Sequence, residues 1–398
     1  MTGVLPVSVI VVSRHRPNEL ALCLAGIRRL DHPNFELIVV ADPAAAATCP
    51  GDAKVVPFDE ANIAEARNRG IAVAAGDIVA FIDDDAVPEP RWLSRLTAPF
   101  ADPEVSAAGG FVIGRNGISF QWKASVADGH GRSVPLDVDP AGVSVLQGAP
   151  GRAIRTEGTN CAFRRSTLAA LGGFDPAFRF YLDETDLNMR LAERGWKTAI
   201  VPRARVHHAY AASDRRRADR TPADLTEIGA SQAVFLRKHA PDAEHATALD
   251  RFRSEQARRL DRLSRAGTLD GEGAARLLQT LDHGISEGMR RPLGRVASPP
   301  GPPPDFLPLP AGTGEVHIAA GWAWQAENLS RDARTRGESA SVVLLLFSPT
   351  TRYHRLRFTG THWEQRGGLF GKSDRSDPLF RIWRRKSRFN REVKRLDF

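Results

Sequence analysis

The first half of the chain alternates short uncharged runs with stretches of helical period. Val7 to Ser13 is valine-rich and carries no charge, the pattern of a central parallel strand. Arg14-His15-Arg16-Pro17-Asn18 breaks it, and Leu20, Leu22, Leu24, Ile27 and Leu30 predict an amphipathic helix. Phe35 to Val40 predicts a second strand ending at Asp42, and Val55-Val56-Pro57 a short third. Ile63 to Ala75 reads as a helix closed by Gly76, and Ile78 to Ile82 as the fourth strand. Such alternation predicts a parallel α/β sheet, in which ligands bind at the carboxyl ends of the strands. Further on, Gly109 to Ile113 and Gly158 to Phe163 read as strands, Ser166 to Leu171 as a short helix, and Leu187 to Arg194 as a helix stopped by Gly195. Lys197 to Pro202 is a strand, followed by Val206-His207-His208, and Leu225 to Lys238 continues as helix.

Two acidic clusters interrupt this pattern. The run Ile78 to Ile82 ends in Asp83-Asp84-Asp85. Three carboxylates at a strand end repel one another unless a cation joins them, and hard divalent ions take carboxylate oxygens. The competing reading is that the triplet caps a helix starting near Pro90, since acids suit helix N-termini. Asp183-Glu184-Thr185-Asp186 stands at a second strand-to-helix junction. There the acids either answer the helix dipole or supply a fixed general base. The His207-His208 pair is either structural or a contributor to a metal site.

Composition narrows the classes. A chain of 398 residues with a globular composition has room for two or three domains. Its net charge of +8 favours an acidic partner such as a nucleotide or an anionic lipid surface. Nucleic acid fits less well, because no aromatic platform for single strands stands out. Cys23, Cys49 and Cys161 are too few and too scattered for a disulfide framework or a cysteine metal site, which fits a cytoplasmic setting. No secretory leader pattern and no apolar run of spanning length is evident.

Six segments together resemble the family 2 glycosyltransferases of GT-A fold, over residues 5–240. They are Val7 to Ser13 with Arg16-Pro17, Phe35 to Asp42, Ala66-Arg67-Asn68-Arg69-Gly70, Ala80 to Asp85, Gly172-Gly173-Phe174-Asp175, and Asp183 to Leu187. The resemblance implies an α/β fold with a Rossmann-like, mostly parallel sheet flanked by helices. It also implies an inverting, metal-dependent transfer of sugar from a nucleotide-diphosphate sugar to a hydroxyl acceptor, in cell-surface polysaccharide or glycolipid synthesis. By the same resemblance Val12, Ser13, Arg14, Asp42, Arg67, Asn68, Asp83 and Asp84 contact the donor, with Asp42 near the base. Gly158, Thr159 and Asn160 line the sugar and acceptor pocket. Asp85, Asp83 and His208, the last within His208-Ala209-Tyr210-Ala211, hold Mn2+ or Mg2+. The acid pair Asp183-Glu184 supplies the catalytic base, assigned to Glu184, with Asp183 one residue away. Ala41 and Pro43-Ala44 replace the family's usual acid and Gly-Ser around Asp42. A sugar nucleotidyltransferase is the alternative enzyme, but Ser13 to Pro17 lacks the glycine-rich phosphate loop it needs. A GT-A fold kept only for nucleotide binding is the alternative outside catalysis, and the intact acids argue against it.

The remainder divides into a helical hairpin over 241–291, a proline-dense extended linker over 292–310 and a basic C-terminal α/β segment over 311–398. Leu249, Phe252, Leu260 and Leu263, then Leu277, Leu281, Ile285 and Met289, form the hairpin's apolar faces, for packing or for a dimer contact. Ser341 to Phe347 and Tyr353 to Phe358 read as strands. Near the end, Ile382, Phe389, Val393 and Leu396 share one helical face amid arginines. That helix either docks on its own domain or makes peripheral contact with the inner face of the cell membrane, where a lipid-linked or glycan acceptor would lie.

Overall fold

The computed structural model describes residues 4–209, 217, 219–294, 304–396 and 398. The catalytic-region elements run β1 (Val7–Ser13), α1 (Pro17–Ile27), β2 (Phe35–Ala41), α2 (Pro43–Ala46), β3 (Lys54–Pro57), α3 (Ile63–Ala72), β4 (Ile78–Asp83), β5 (Ala86–Pro88), α4 (Trp92–Thr97) and β6 (Val105–Ile113). They continue β7 (Phe120–Trp122), β8 (Ser125–Asp128), β9 (Ser133–Pro135), β10 (Ser144–Gln147), β11 (Arg152–Arg155), β12 (Cys161–Arg164), α5 (Arg165–Leu171), α6 (Asp183–Glu193), β13 (Lys197–His208) and α7 (Thr226–His239). Beyond them lie α8 (His245–Arg265), α9 (Gly271–Arg290), β14 (Pro308–Leu309), β15 (Val316–Trp322), α10 (Ala326–Arg336), β16 (Ser341–Ser348), β17 (Arg355–Phe358), β18 (Trp363–Gly368) and α11 (Arg385–Leu396).

The main sheet runs β10-β13-β6-β12-β4-β1-β2-β14. Its strands β4, β1, β2 and β3 are parallel, as the uncharged runs predict. The expected mostly parallel sheet is nevertheless mixed, because β12 enters antiparallel between β4 and β6, and β10, β5, β7 and β14 also pair antiparallel. The cause lies between β6 and β12, where the chain returns through short strands instead of the crossover helix a parallel neighbour requires. Three of those strands, β11-β8-β9, form a separate small sheet. The expected break between Pro202 and Val206 is a register shift inside one long strand, β13.

Both faces of the sheet are covered. One carries α1 and α4, with Leu20, Ile27, Trp92 and Leu96 buried. The other carries α3, α5 and α6 around Ile10, Phe81, Phe163 and Phe174. Helix α9 crosses α7 so closely that side chains at Gly284 or Gly288 would strike the α7 backbone, 1.9 Å from Thr226 O or 2.3 Å from Ala230 O. Helix α8 joins through Phe252 and Leu260. Met289, expected on the apolar face, is exposed. The proline-dense stretch is not wholly a linker: Pro308–Leu309 pairs with Glu36 and Phe35 at the sheet edge, and Leu309 enters the core.

The C-terminal module is a four-stranded sheet, β15-β16-β18-β17, with the parallel pair β15 and β16 joined through α10. Its inner face packs on the catalytic region through Val343, Phe358 and Trp363 against Leu22, Ala25, Val87 and Ile118. Arg29, just beyond α1, donates to Gly337 O and Thr361 O at 2.8 and 3.3 Å. The docked arrangement of the basic helix is the one observed. Leu396 is buried in this core, Phe389 and Val393 pack against it, and Ile382 lies outside the helix. Among the described residues no helix is long and apolar enough to cross a membrane.

Fully buried Glu392 anchors α11: it pairs with Arg388 and Arg395 at 3.0 Å and accepts from Gln365 and Ser373. Burial opposes its charge, but the arginines hold the carboxyl down, to about 2. Burial likewise lowers His354 to about 4. Both groups bind protons more readily when unfolded. The stability tied to His354 is therefore lost as pH falls from its unfolded value toward 4, and that tied to Glu392 as pH falls further toward 2. We expect Glu392→Gln, which leaves buried Arg388 without its carboxylate, to cost about 3 kcal/mol in denaturant unfolding at neutral pH, with a smaller penalty in acid. An unchanged midpoint would remove Glu392 as the anchor.

Candidate active site

Three strand ends converge at one edge of the sheet, since Val12 lies in register with Val40 and Asp83, and Ser13 with Ala41. The chain leaving β1 turns sharply at His15, whose φ is +56°. Asp42 stabilises that turn by accepting from the His15 amide at 2.9 Å and also caps α2 through the Ala45 amide at 3.2 Å. Burial works against the charge of Asp42, but these amides outweigh it and hold the carboxyl below its ordinary range. Arg14 and His15 both reach Asp59 at 2.9 Å.

The acidic triplet divides its three side chains. Asp84 is buried, accepts from Ser13 Oγ at 2.7 Å and pairs with Arg16 at 2.5 Å. Burial raises it to about 7, against the pull of Arg16. Asp83 and Asp85 turn instead toward His208, and one ligand atom from each of the three lies within 4.8 Å of the others. The triplet caps no helix, because β5 follows it directly and pairs with the end of β13, placing Ala86 opposite His208. His208 Nδ1 lies 3.1 Å from Gln121 Oε1. Its Nε2 lies 3.0 Å from Asp85 Oδ1. Two carboxylates and an imidazole suit Mn2+ or Mg2+. His207 points the other way, to Glu89 at 3.2 Å and onto the ring of Trp363. Tyr210 and Ala211 lie outside the described residues.

Arg67, buried on α3, connects the two acidic clusters. It pairs with Asp183, reaches Asp83 at 3.3 Å and donates to Gly158 O at 3.2 Å. Its guanidinium lies over the rings of Phe81 and Phe174. Asn68 holds Phe174 in turn, exchanging hydrogen bonds of 2.7 and 2.9 Å with its backbone. Asn160 is also engaged within the protein, donating to Phe111 O and Ala204 O and accepting from Trp92 Nε1. Both asparagine amides are thus bonded within the protein. Thr159 is buried, and its hydroxyl meets no protein partner among the described residues.

The second cluster opens α6. All of Asp183, Glu184 and Asp186 fall in its first turn, so the helix starts four residues before Leu187. The two residues ahead, Tyr181 and Leu182, take positive φ of 101° and 65°, a strained backbone of the kind found where function fixes geometry. Asp186 is buried among Arg190, Lys238 and His239 and ties α6 to α7. Glu184 lies 3.2 Å from Arg155, which also reaches Glu157 at 3.3 Å and Ser133 at 2.8 Å. Burial opposes the charge of Glu184, but Arg155 and Arg67 outweigh it, so its carboxyl stays below the ordinary range. Burial and the neighbouring Glu184 push Asp183 up instead, to about 7. Glu157 is raised to about 8 by burial, against Arg155.

The chain belongs to the glycosyltransferase-like family 2, whose family model matches residues 5–226. A pre-mycofactocin glycosyltransferase of Mycobacterium tuberculosis is 29% identical over 147 residues, 37% of this chain and 30% of that protein. The O-antigen biosynthesis protein RfbC of Myxococcus xanthus is 25% identical over 251 residues, 55% of this chain and 18% of that protein. The chain thus spans less than a third of either curated relative. Among solved structures, a mannosyltransferase of Pyrobaculum calidifontis in complex with GDP-Man and Mn2+ has 17% identity and a TM-score of 0.43, over 72% of this chain and 88% of that one.

A β-carbon on Gly158 would sit 2.7 Å from Arg67 Nη2, against a guanidinium that cannot retreat from Asp183. Gly158→Ala should therefore cost about 2 kcal/mol in chemical denaturation, while Gly51→Ala, which meets nothing within 4 Å, stays near neutral. Equal stability of the two variants would contradict the close packing around Arg67.

Proposed function

We propose that the chain is an inverting glycosyltransferase that moves a sugar from a nucleotide-diphosphate sugar to a hydroxyl of a glycan or lipid-linked acceptor. The setting we infer is cytoplasmic, in cell-surface polysaccharide or glycolipid synthesis. One observation carries the reading: a cation-ready group of Asp83, Asp85 and His208 is joined through Arg67 to an acid pair in which Glu184 is kept ionised. Family membership supports it independently.

In this reading Val12, Ser13, Arg14 and Asp42 bind the nucleoside at the ends of β1 and β2. Asp84 positions that wall through Ser13 and Arg16. Asp83, Asp85 and His208 would hold the divalent ion, which when bound supplies positive charge to the departing diphosphate. Arg67 orients Asp183 and Asp83, and Asn68 and Asn160 position their surroundings. The donor sugar lies beside Gly158 and Thr159. Glu184 accepts the proton of the acceptor hydroxyl. That oxygen attacks the anomeric carbon as the bond to the diphosphate breaks on the opposite face. A single displacement inverts the configuration.

Glu184→Gln should retain donor binding and lose turnover by about 10²–10⁴-fold. Turnover within a few-fold of the wild type would remove Glu184 as the base. Asp85→Ala should weaken manganese-dependent donor binding in calorimetry, and an unchanged affinity would contradict its place in the cation site.

A further inference from the structure

We propose that the segment leading into α11, together with Trp324, is a contact surface for an anionic lipid bilayer. The C-terminal module buries nearly all its large apolar side chains, yet three of four consecutive residues stand in solvent. Leu379 is 81% exposed, Phe380 55% and Ile382 77%. Trp324 is 68% exposed and stacks on Trp322 with ring centroids 4.9 Å apart. Arg385 lies over that same Trp322 ring at 5.0 Å, which brings the tryptophan pair alongside the exposed segment. An apolar group of this size left in water marks a surface that meets something.

Charge identifies the partner. Between Pro378 and Arg391 the chain carries six cations and no acid. Arg388 and Arg391 turn inward to Glu392 and Asp377. Arg381, Arg384, Arg385 and Lys386 are exposed between and beside the apolar residues. The nearby acids are engaged within the protein, Asp377 by Arg391 and Asp374 by Ser376. The partner must therefore accept apolar side chains and arginines within one short stretch. A bilayer surface with anionic headgroups does this: acyl chains take Leu379, Phe380 and Ile382, the interface takes Trp324, and the headgroups take the cations. The apolar face of α11 is not available for this contact, because it is turned into the module's own core. The inference stands on this surface alone and holds whatever reaction the catalytic region performs.

Flotation of the full chain with vesicles tests it. The wild type should float with mixed phosphatidylglycerol and phosphatidylcholine vesicles and stay behind with phosphatidylcholine alone. The combined Leu379→Ser, Phe380→Ser and Ile382→Ser variant removes exposed side chains and one ring contact, that of Phe380 with Phe370, so its unfolding midpoint should change little, but it should no longer float. The combined Arg384→Gln, Arg385→Gln and Lys386→Gln variant should partition about 100-fold less. A wild type that ignores anionic vesicles would overturn the proposal. A serine variant that floats like the wild type would also overturn it, because binding by charge alone fits an acidic macromolecule instead.

Discussion

The site depends on one buried cation. Arg67 joins Asp83 at the end of β4 to Asp183 at the start of α6, and its guanidinium rests on Phe81 and Phe174. Without it, the buried carboxylate of Asp183 would be left without its cation, at a cost of several kcal/mol. Gly158 must be glycine to let the guanidinium in, and Asn68 fixes the ring beneath it. The parallel half of the sheet and the later, mixed half thus meet at a charge network as well as at an apolar core.

How much of this was legible in the sequence follows from where each residue sits. Uncharged runs with acids at their ends mark β1, β2 and β4, because a strand buried on both faces excludes polar residues until it reaches its end. Asp83 and Asp85 could be anticipated at a strand end for that reason, while His208 joined them only through the family resemblance. Arg155, Glu157 and Gln121 could not. They lie on or beside short strands of the return path after β6, where glycines and prolines hide any period. The only available signal was charge on a segment otherwise read as loop. Asn68 and Asn160 were expected at the ligand; that each also satisfies backbone groups leaves no mark in the sequence. The mixed sheet was missed because Gly158 to Phe163 has the composition of a strand whatever its direction.

The C-terminal module shows the same limit at larger scale. The run before Phe347 is visible because it is the module's fully buried strand. Strand β15 is half-exposed, with alanines and glycine, and β18 is polar and glycine-ended, so neither has a strong pattern. The module covers α1 and sets Trp363 against His207, the residue next to His208. It therefore packs behind the strand end that carries His208.

The central claim is that the strand-end cluster receives a nucleoside diphosphate together with a divalent ion. Thermal unfolding of the full chain against a panel of nucleoside diphosphates, with and without manganese, tests this most directly. A ligand at about 100 times its dissociation constant stabilises by roughly 2.7 kcal/mol, enough for a clear rise in midpoint. The account predicts that at least one nucleoside diphosphate raises the midpoint and that the rise requires manganese. A panel in which no nucleotide shifts the midpoint, or in which manganese makes no difference, would contradict it.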